Sequence, residues 1–275
     1  MSGLTADTAP LRPEWLRYDL PNRHPSWWYA SVVFALCAVA FYLLTFVDAR
    51  ELSGVSVWTK PIKFAVSLSV YFLTLAWFAP LMGPGYFASG VGRALTWIAL
   101  GCACFEMVYI ALQGALGEHS HFNVGTPYHA VMYSLMGFGA VALVSVCLWL
   151  GGRLLRRNGL QDPYVFAVGL GLVLTFVLGG ALGGYLSSQG GHWVGGTLSD
   201  ANTLPGFHWS RDGGDLRVAH FWGIHAMQIV PLLVWPMRLR SSAAGIAWAL
   251  TVGCALTAFT LVTFRQALAG VPFLG

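Results

Sequence analysis

Residues 213–231 read GGDLRVAHFWGIHAMQIVP. A glycine turn carrying Asp215 and Arg217 runs into an apolar helix with His220, His225 and Gln228 set inside it. Ionisable groups in such a stretch are costly in lipid and face a bundle interior or a water-filled cavity. The stretch therefore predicts a membrane-spanning fold and marks where its polar site lies. At 1.5 Å per residue, His225 sits roughly 10–12 Å below the end of the helix. Arg217 and His220 share one helix face, and His225 and Gln228 share another.

The rest of the chain agrees. Of 275 residues, 56% are hydrophobic and only 9% charged, against about 25% charged in soluble domains. Seven apolar runs (27–47, 64–82, 94–117, 130–152, 164–186, 218–237 and 243–268) approach the ~20 residues that cross a bilayer. The expected fold is an all-α membrane protein, a seven-helix transmembrane bundle. Residues 1–26 form a polar N-terminal segment. Residues 27–270 form a single transmembrane domain, and the long connector 187–216 covers one end as a cap. The first 26 residues lack a signal-peptide h-region and cleavage site, so the first run reads as a retained anchor. Trp27, Trp28 and Tyr29 suit a membrane interface.

Arginine sets the orientation. One side collects Arg12, Arg17, Arg23, Arg93, Arg153, Arg156, Arg157, Arg238 and Arg240. The positive-inside rule makes that side cytoplasmic, with the C-terminus outside. The net charge of +4 is thus a topology signal, not a nucleic-acid footprint. Every histidine except His24 then falls at or near the outer side. A weak repeat adds to this: Lys60-Pro-Ile-Lys63-Phe64 opens the second span and Arg217-Val-Ala-His220-Phe221 the sixth, as in a parallel 3+1+3 duplication.

Several residues carry chemistry. Glu106 lies mid-span in the third helix, where an unpaired carboxylate is strongly penalised, so it should face the interior. His225, Arg265 and Tyr109 are its expected partners. His119 and His121 form an HxH that, on an extended segment, puts both rings on one face and can ligate Cu or Zn. Lys60, Lys63, Arg217 and Arg265 give the outer mouth cations able to hold a carboxylate, a propionate or a head group. Gly179, Gly180, Gly183 and Gly184 make two overlapping GxxxG patterns for close helix packing. The five cysteines lie in apolar runs and read as buried free thiols. There is no nucleotide-binding loop, no GxSxG, no HExxH, and no lysine in the last helix for a retinal Schiff base.

Three motifs, SHFN-x-x-TP at 120–127, GGDLRVAHFWGIHAMQ at 213–228 and FRQALAGVP at 264–272, resemble a family of uncharacterised bacterial polytopic membrane proteins. The resemblance covers most of the chain after Lys60. It implies a bacterial inner-membrane location and that the outer polar residues belong together, but it brings no activity.

Four functional readings follow. The leading one is a haem- or transition-metal-binding protein in a redox or redox-assembly role. His220 and His225 would be ligands, His129 the opposing one, and His119 and His121 a metal pair, with Glu106 and His225 handling protons. The others are a small-solute or proton-coupled transporter, an enzyme acting on outer-leaflet lipid, and a structural subunit of a larger membrane complex or homo-oligomer.

Overall fold

A computed structural model describes residues 19–157, 160–201, 203–237 and 242–275. Arg12, Arg17, Arg238 and Arg240, and most of the 1–26 segment, lie outside these residues. After a short helix α1 (Leu20–Arg23), the chain runs α2 (Pro25–Leu44), a hairpin of β1 (Glu51–Leu52) and β2 (Val55–Ser56), and α3 (Thr59–Phe78). It continues through α4 (Gly90–Leu116), α5 (Pro127–Arg157) and α6 (Pro163–Leu174). A single π-helical turn at Thr175–Gly179 joins α6 to α7 (Gly180–Ser188). A connector holding β3 (Trp193–Val194) and β4 (Gly214–Asp215) leads to α8 (Leu216–Ile224), α9 (Ala226–Val234) and α10 (Ser242–Leu268).

Local chemistry fixes where the helices start and stop. The His24 ring accepts the Trp27 N–H at 3.3 Å, and Pro25 follows at the first helical position. That proline has no N–H to satisfy and its φ already suits a helix. Ser89 accepts Gly92 N–H at the start of α4. Asp162 accepts the N–H groups of Tyr164 and Val165 at the start of α6, which satisfies helix donors that have no partner in the helix. Gly117 ends α4 at φ 73°, a left-handed turn that costs glycine nothing.

Among the described residues, six helices are long and apolar enough to cross a membrane: Pro25–Leu44, Thr59–Met82, Gly90–Leu116, Pro127–Arg157, Pro163–Ser188 and Ser242–Leu268. Residues 218–237, expected as one continuous span, fall instead in a bent pair. Leu216–Ile224 and Ala226–Met237 meet at 53°. The chain is thus an all-α, multi-pass membrane bundle. One apolar core joins α2 through α6, with Met227 of α9, around Trp27, Phe72, Leu75, Ile110, Leu150 and Leu172. A second joins α6, α9 and α10 around Ala167, Val230 and Ala249. Large apolar side chains such as Leu36, Trp97, Phe138 and Leu232 point outward. Water would penalise that surface and lipid does not.

The cysteines are free, but only Cys147 is buried; Cys104 and Cys254 lie on the outer surface of the bundle. An apolar run at a lipid boundary does not bury every residue in protein, so composition alone overstated their burial. Of the two GxxxG patterns, one packs. A Cβ on Gly179 would meet Ile224 at 2.8 Å and one on Gly183 would meet the His220 ring at 2.8 Å, whereas Gly184 has open space.

Candidate functional site

The site begins at the break between α8 and α9. Where α8 ends at His225 and α9 begins, the regular ladder of backbone hydrogen bonds is interrupted. Lipid offers no replacement partners, so such a break survives only if protein supplies them. Thr175 does so. Its buried hydroxyl donates to the Ile224 carbonyl at 3.3 Å and accepts the Met227 N–H at 2.9 Å. Thr175 opens the π-helical turn of the neighbouring helix, so two irregular pieces of backbone brace each other. π-turns and broken membrane helices both concentrate at functional positions.

At the break, His225 Nδ1 lies 3.3 Å from Gln228 Oε1, and Gln228 Nε2 donates to Thr74 Oγ1 on α3 at 3.1 Å. This chain assigns the proton to His225 Nδ1 and leaves the Nε2 lone pair open. The ring packs on Phe221 at 4.3 Å. His220, on α8, presses against Gly183 and keeps its Nδ1 without a partner.

Glu106 is 4% exposed, as its mid-span position requires. None of its expected partners holds it: the Tyr109 hydroxyl takes the Gln113 amide at 3.0 Å instead, His225 bonds Gln228, and Arg265 is exposed at the bundle surface. Glu106 Oε1 is sealed and unpaired beside Gly139, where a Cβ would come within 3.1 Å of it. Among the described residues, the charge that acts on Glu106 is that of Lys60 at the start of α3. Lys60 is half-buried. It lies within electrostatic range of Arg217, Asp200, Glu106 and Lys63 and of His119 and His121. Its ammonium makes no hydrogen bond or ion pair among the described residues.

The neighbouring cations are committed. Arg217 reaches Asp215 at 2.7 Å and Asp200 at 2.9 Å, and also donates to the His208 carbonyl. Lys63 donates to the adjacent carbonyl of Phe207 at 2.8 Å. Lys60 and Arg217 are each the second residue of their helix, and Lys63 and His220 each the fifth. Both helix starts thus project toward the connector, and two successive carbonyls of one turn take a cation from each.

The connector is a folded cap. β3 pairs with β4, Asp212 holds Thr197 through its N–H and hydroxyl, and Ser53 of the β1–β2 hairpin accepts Asp200 N–H at 2.9 Å. Asp215, 1% exposed, accepts Ser210 N–H as well as caps α8. Burial opposes ionisation of Asp200, yet the His192 ring 3.5 Å away and the Arg217 charge hold its carboxyl below the ordinary range. Burial pushes His192 below 6.5 despite the nearby Asp200 carboxylate. It pushes His121 well below 6.5, with Lys60 adding to the effect, and burial and Lys63 lower His208. Three non-glycine residues in this region sit at positive φ, Ser53 at 55°, Phe122 at 59° and His208 at 55°. This conformation is strained for an aromatic side chain and persists only where surroundings impose it.

The histidines do not assemble a ligand set. His119 is exposed, whereas His121 turns inward onto Phe64 at 5.2 Å and bonds Ser120 at 3.1 Å. The left-handed Phe122 bends the segment away from the extended form that would align the two rings. His129 is committed to Glu118 at 3.1 Å and Thr126 at 2.8 Å. It is the third residue of α5, about 3 Å below the end, whereas His225 lies about 13 Å below the start of α8. Two histidines that ligate one haem from opposite faces must lie at one depth, and His129 and His225 do not. Among the described residues no three His, Cys, Asp or Glu side chains form a group that could hold a metal ion.

Several participants were not picked out from sequence. Thr175 and Thr74 are polar residues within apolar runs, a signal that was legible. Gly139 and the Phe207 and His208 carbonyls leave no trace in residue type. Compared with protein-family models, curated proteins and solved structures, the chain matches none.

Proposed function

We propose that the protein is a carrier of a small polar solute, coupled to protonation of Glu106, with its site at the outer end of a seven-span bundle. The observation that carries this reading is a pair of uncommitted ionisable groups of opposite type, Lys60 and Glu106. Lys60 and Glu106 act on each other across the site, while every neighbouring cation has a partner. A buried ionic group without a partner is costly, and the cost is removed when a solute or a proton arrives. The cargo chemistry follows: an acceptor, such as a carboxylate, for Lys60 and a donor, such as an ammonium, toward Glu106. Small zwitterions satisfy both.

The broken span supports a moving part. α8 and α9 are separate rigid pieces hinged at His225, and the His225–Gln228–Thr74 chain ties the hinge to the helix that carries Lys60. The shared opening of α3 and α8 supports the parallel repeat, in which corresponding helix starts flank the site. In this reading the bent pair counts as one span, the arginine-rich end is cytoplasmic, the C-terminus lies outside, and the bilayer is a bacterial inner membrane. The cap works as a gate, since it rests on Lys63 and Arg217, the residues next to the site.

The test is uptake of radiolabelled amino acids, small dicarboxylates and sugars into vesicles containing the purified protein under an imposed pH gradient. The expected result is accumulation of a zwitterion that Lys60→Ala abolishes. Equal background uptake of every compound by wild type and variant would sink the reading.

A further inference from the structure

A second site lies at the opposite, arginine-rich end. A cleft of about 770 Å³ opens between the start of α2, the loop 83–88 and the start of α4. It plays no part in the site under the cap. Its walls carry Arg23, Arg93, Asn22 and Asp19 alongside Tyr86 and Trp97. Arg93 is exposed, and its guanidinium makes no hydrogen bond or ion pair among the described residues. Arg23 leans over Trp77 at 4.2 Å and donates to the Trp77 carbonyl at 3.2 Å. Asp19 is the acid on the rim, and it accepts the Asn22 amide at 2.7 Å. His24, though it lines the cleft, is not a free ligand: its two nitrogens face Trp27 N–H and the Thr96 hydroxyl.

The cleft also has an apolar margin. It sits where two spans begin, which is the depth of lipid head groups. Trp97, 70% exposed, and the exposed Val91 and Ile98 continue from it along the outer face of α4. Beyond the 83–88 loop, Arg157 and Arg153 donate to the Met82 carbonyl at 3.0 and 3.5 Å, and Arg153 covers the Tyr86 ring. They hold the loop in place and add positive potential behind it. A positively charged cleft at head-group depth that opens onto an apolar helix face fits one class of molecule.

We infer that this cleft binds the head group of an anionic glycerophospholipid, with the phosphate against Arg93 and the acyl chains along Trp97 and Ile98. Guanidinium groups bind phosphate oxygens in pairs, which lysine cannot reproduce.

Native mass spectrometry of the full-length protein in mild detergent tests this. It is titrated in turn with short-chain phosphatidylglycerol, short-chain phosphatidylcholine and inorganic phosphate. The expected result is one tightly held phosphatidylglycerol, with phosphatidylcholine and inorganic phosphate far weaker. Arg93→Ala should weaken phosphatidylglycerol at least about fivefold with an unchanged melting temperature, and Arg93→Lys should recover only part of the loss. Equal binding of the two lipids, or undiminished phosphatidylglycerol binding by Arg93→Ala, overturns the proposal. Inorganic phosphate binding as tightly as the lipid overturns it too and makes the ligand a soluble phosphate. A Trp97→Ala variant separates lipid from phosphate again, since only lipid affinity should fall.

Discussion

Thr175→Val removes a hydroxyl while keeping the shape of the side chain. In the wild type that hydroxyl serves two backbone groups freed by the helix break, the Ile224 carbonyl and the Met227 N–H. Thr175 is 2% exposed, so no water takes over either role. An orphaned buried polar group costs about 1–3 kcal/mol. Membrane hydrogen bonds average about 0.6 kcal/mol because the unfolded chain also finds partners in the bilayer. Two groups orphaned together place the expected loss at about 2–4 kcal/mol, above that of a single bond. The assay is unfolding in mixed detergent, read by tryptophan emission. Thr251→Val is the control: its hydroxyl bonds only Ala247 in its own helix at 3.0 Å and faces outward, so the expected change is below about 0.5 kcal/mol. Thr175→Ser keeps the hydroxyl and should recover most of the loss. If Thr175→Val unfolds with Thr251→Val, the break is not held together as described here.

Four further outcomes are expected. Asp215→Ala strips Arg217 and Ser210 of a buried acceptor and uncaps α8, so it should cost about 3–5 kcal/mol, seen as a lower melting temperature and faster proteolysis of the connector. Gly214→Ala places a Cβ within 1.9 Å of the Ala267 carbonyl; it should displace the cap from α10 and raise deuterium uptake in 189–215. Acidification should loosen the cap. His192 and His208 are held below 6.5 in the folded cap, so the unfolded cap takes up protons first. Stability is full above 6.5 and falls as pH drops through it toward the folded values. Asp200, held below its ordinary 3.8, adds a second loss in the same direction further down. Deuterium uptake at 189–215 that is equal at pH 7.5 and 5.5 would contradict this. Finally, Gly139→Ala crowds Glu106 Oε1 at 3.1 Å; it should lower coupled uptake several-fold while leaving the melting temperature within a few degrees, because the carboxyl can shift toward the site.

The fold was largely legible because lipid imposes one-dimensional rules. Apolar length alone locates the six long spans, and the polar residues in 213–231 mark the stretch that is bent. The bend at His225 was not legible, because the hydroxyl that braces it belongs to Thr175, 50 residues earlier and in another helix. Residue identity also overstated the metal reading. His119 and His121 look like a pair only if the segment is extended, and a left-handed Phe122 with a Phe64 contact turns one ring inward. Arg217 shows the same limit: as a sequence it is a cation at a mouth, but Asp200 and Asp215 arrive from the cap to neutralise it. Lys60 stands out only after the partners of its neighbours are known.

The central claim is that Glu106 couples solute movement to protons. Vesicles carrying the protein and an internal pH dye are exposed to the zwitterion that the uptake panel selects. The wild type should acidify the lumen as solute enters, while Glu106→Gln should still exchange labelled for unlabelled solute with no pH change. Acidification by Glu106→Gln at the wild-type rate would contradict the account.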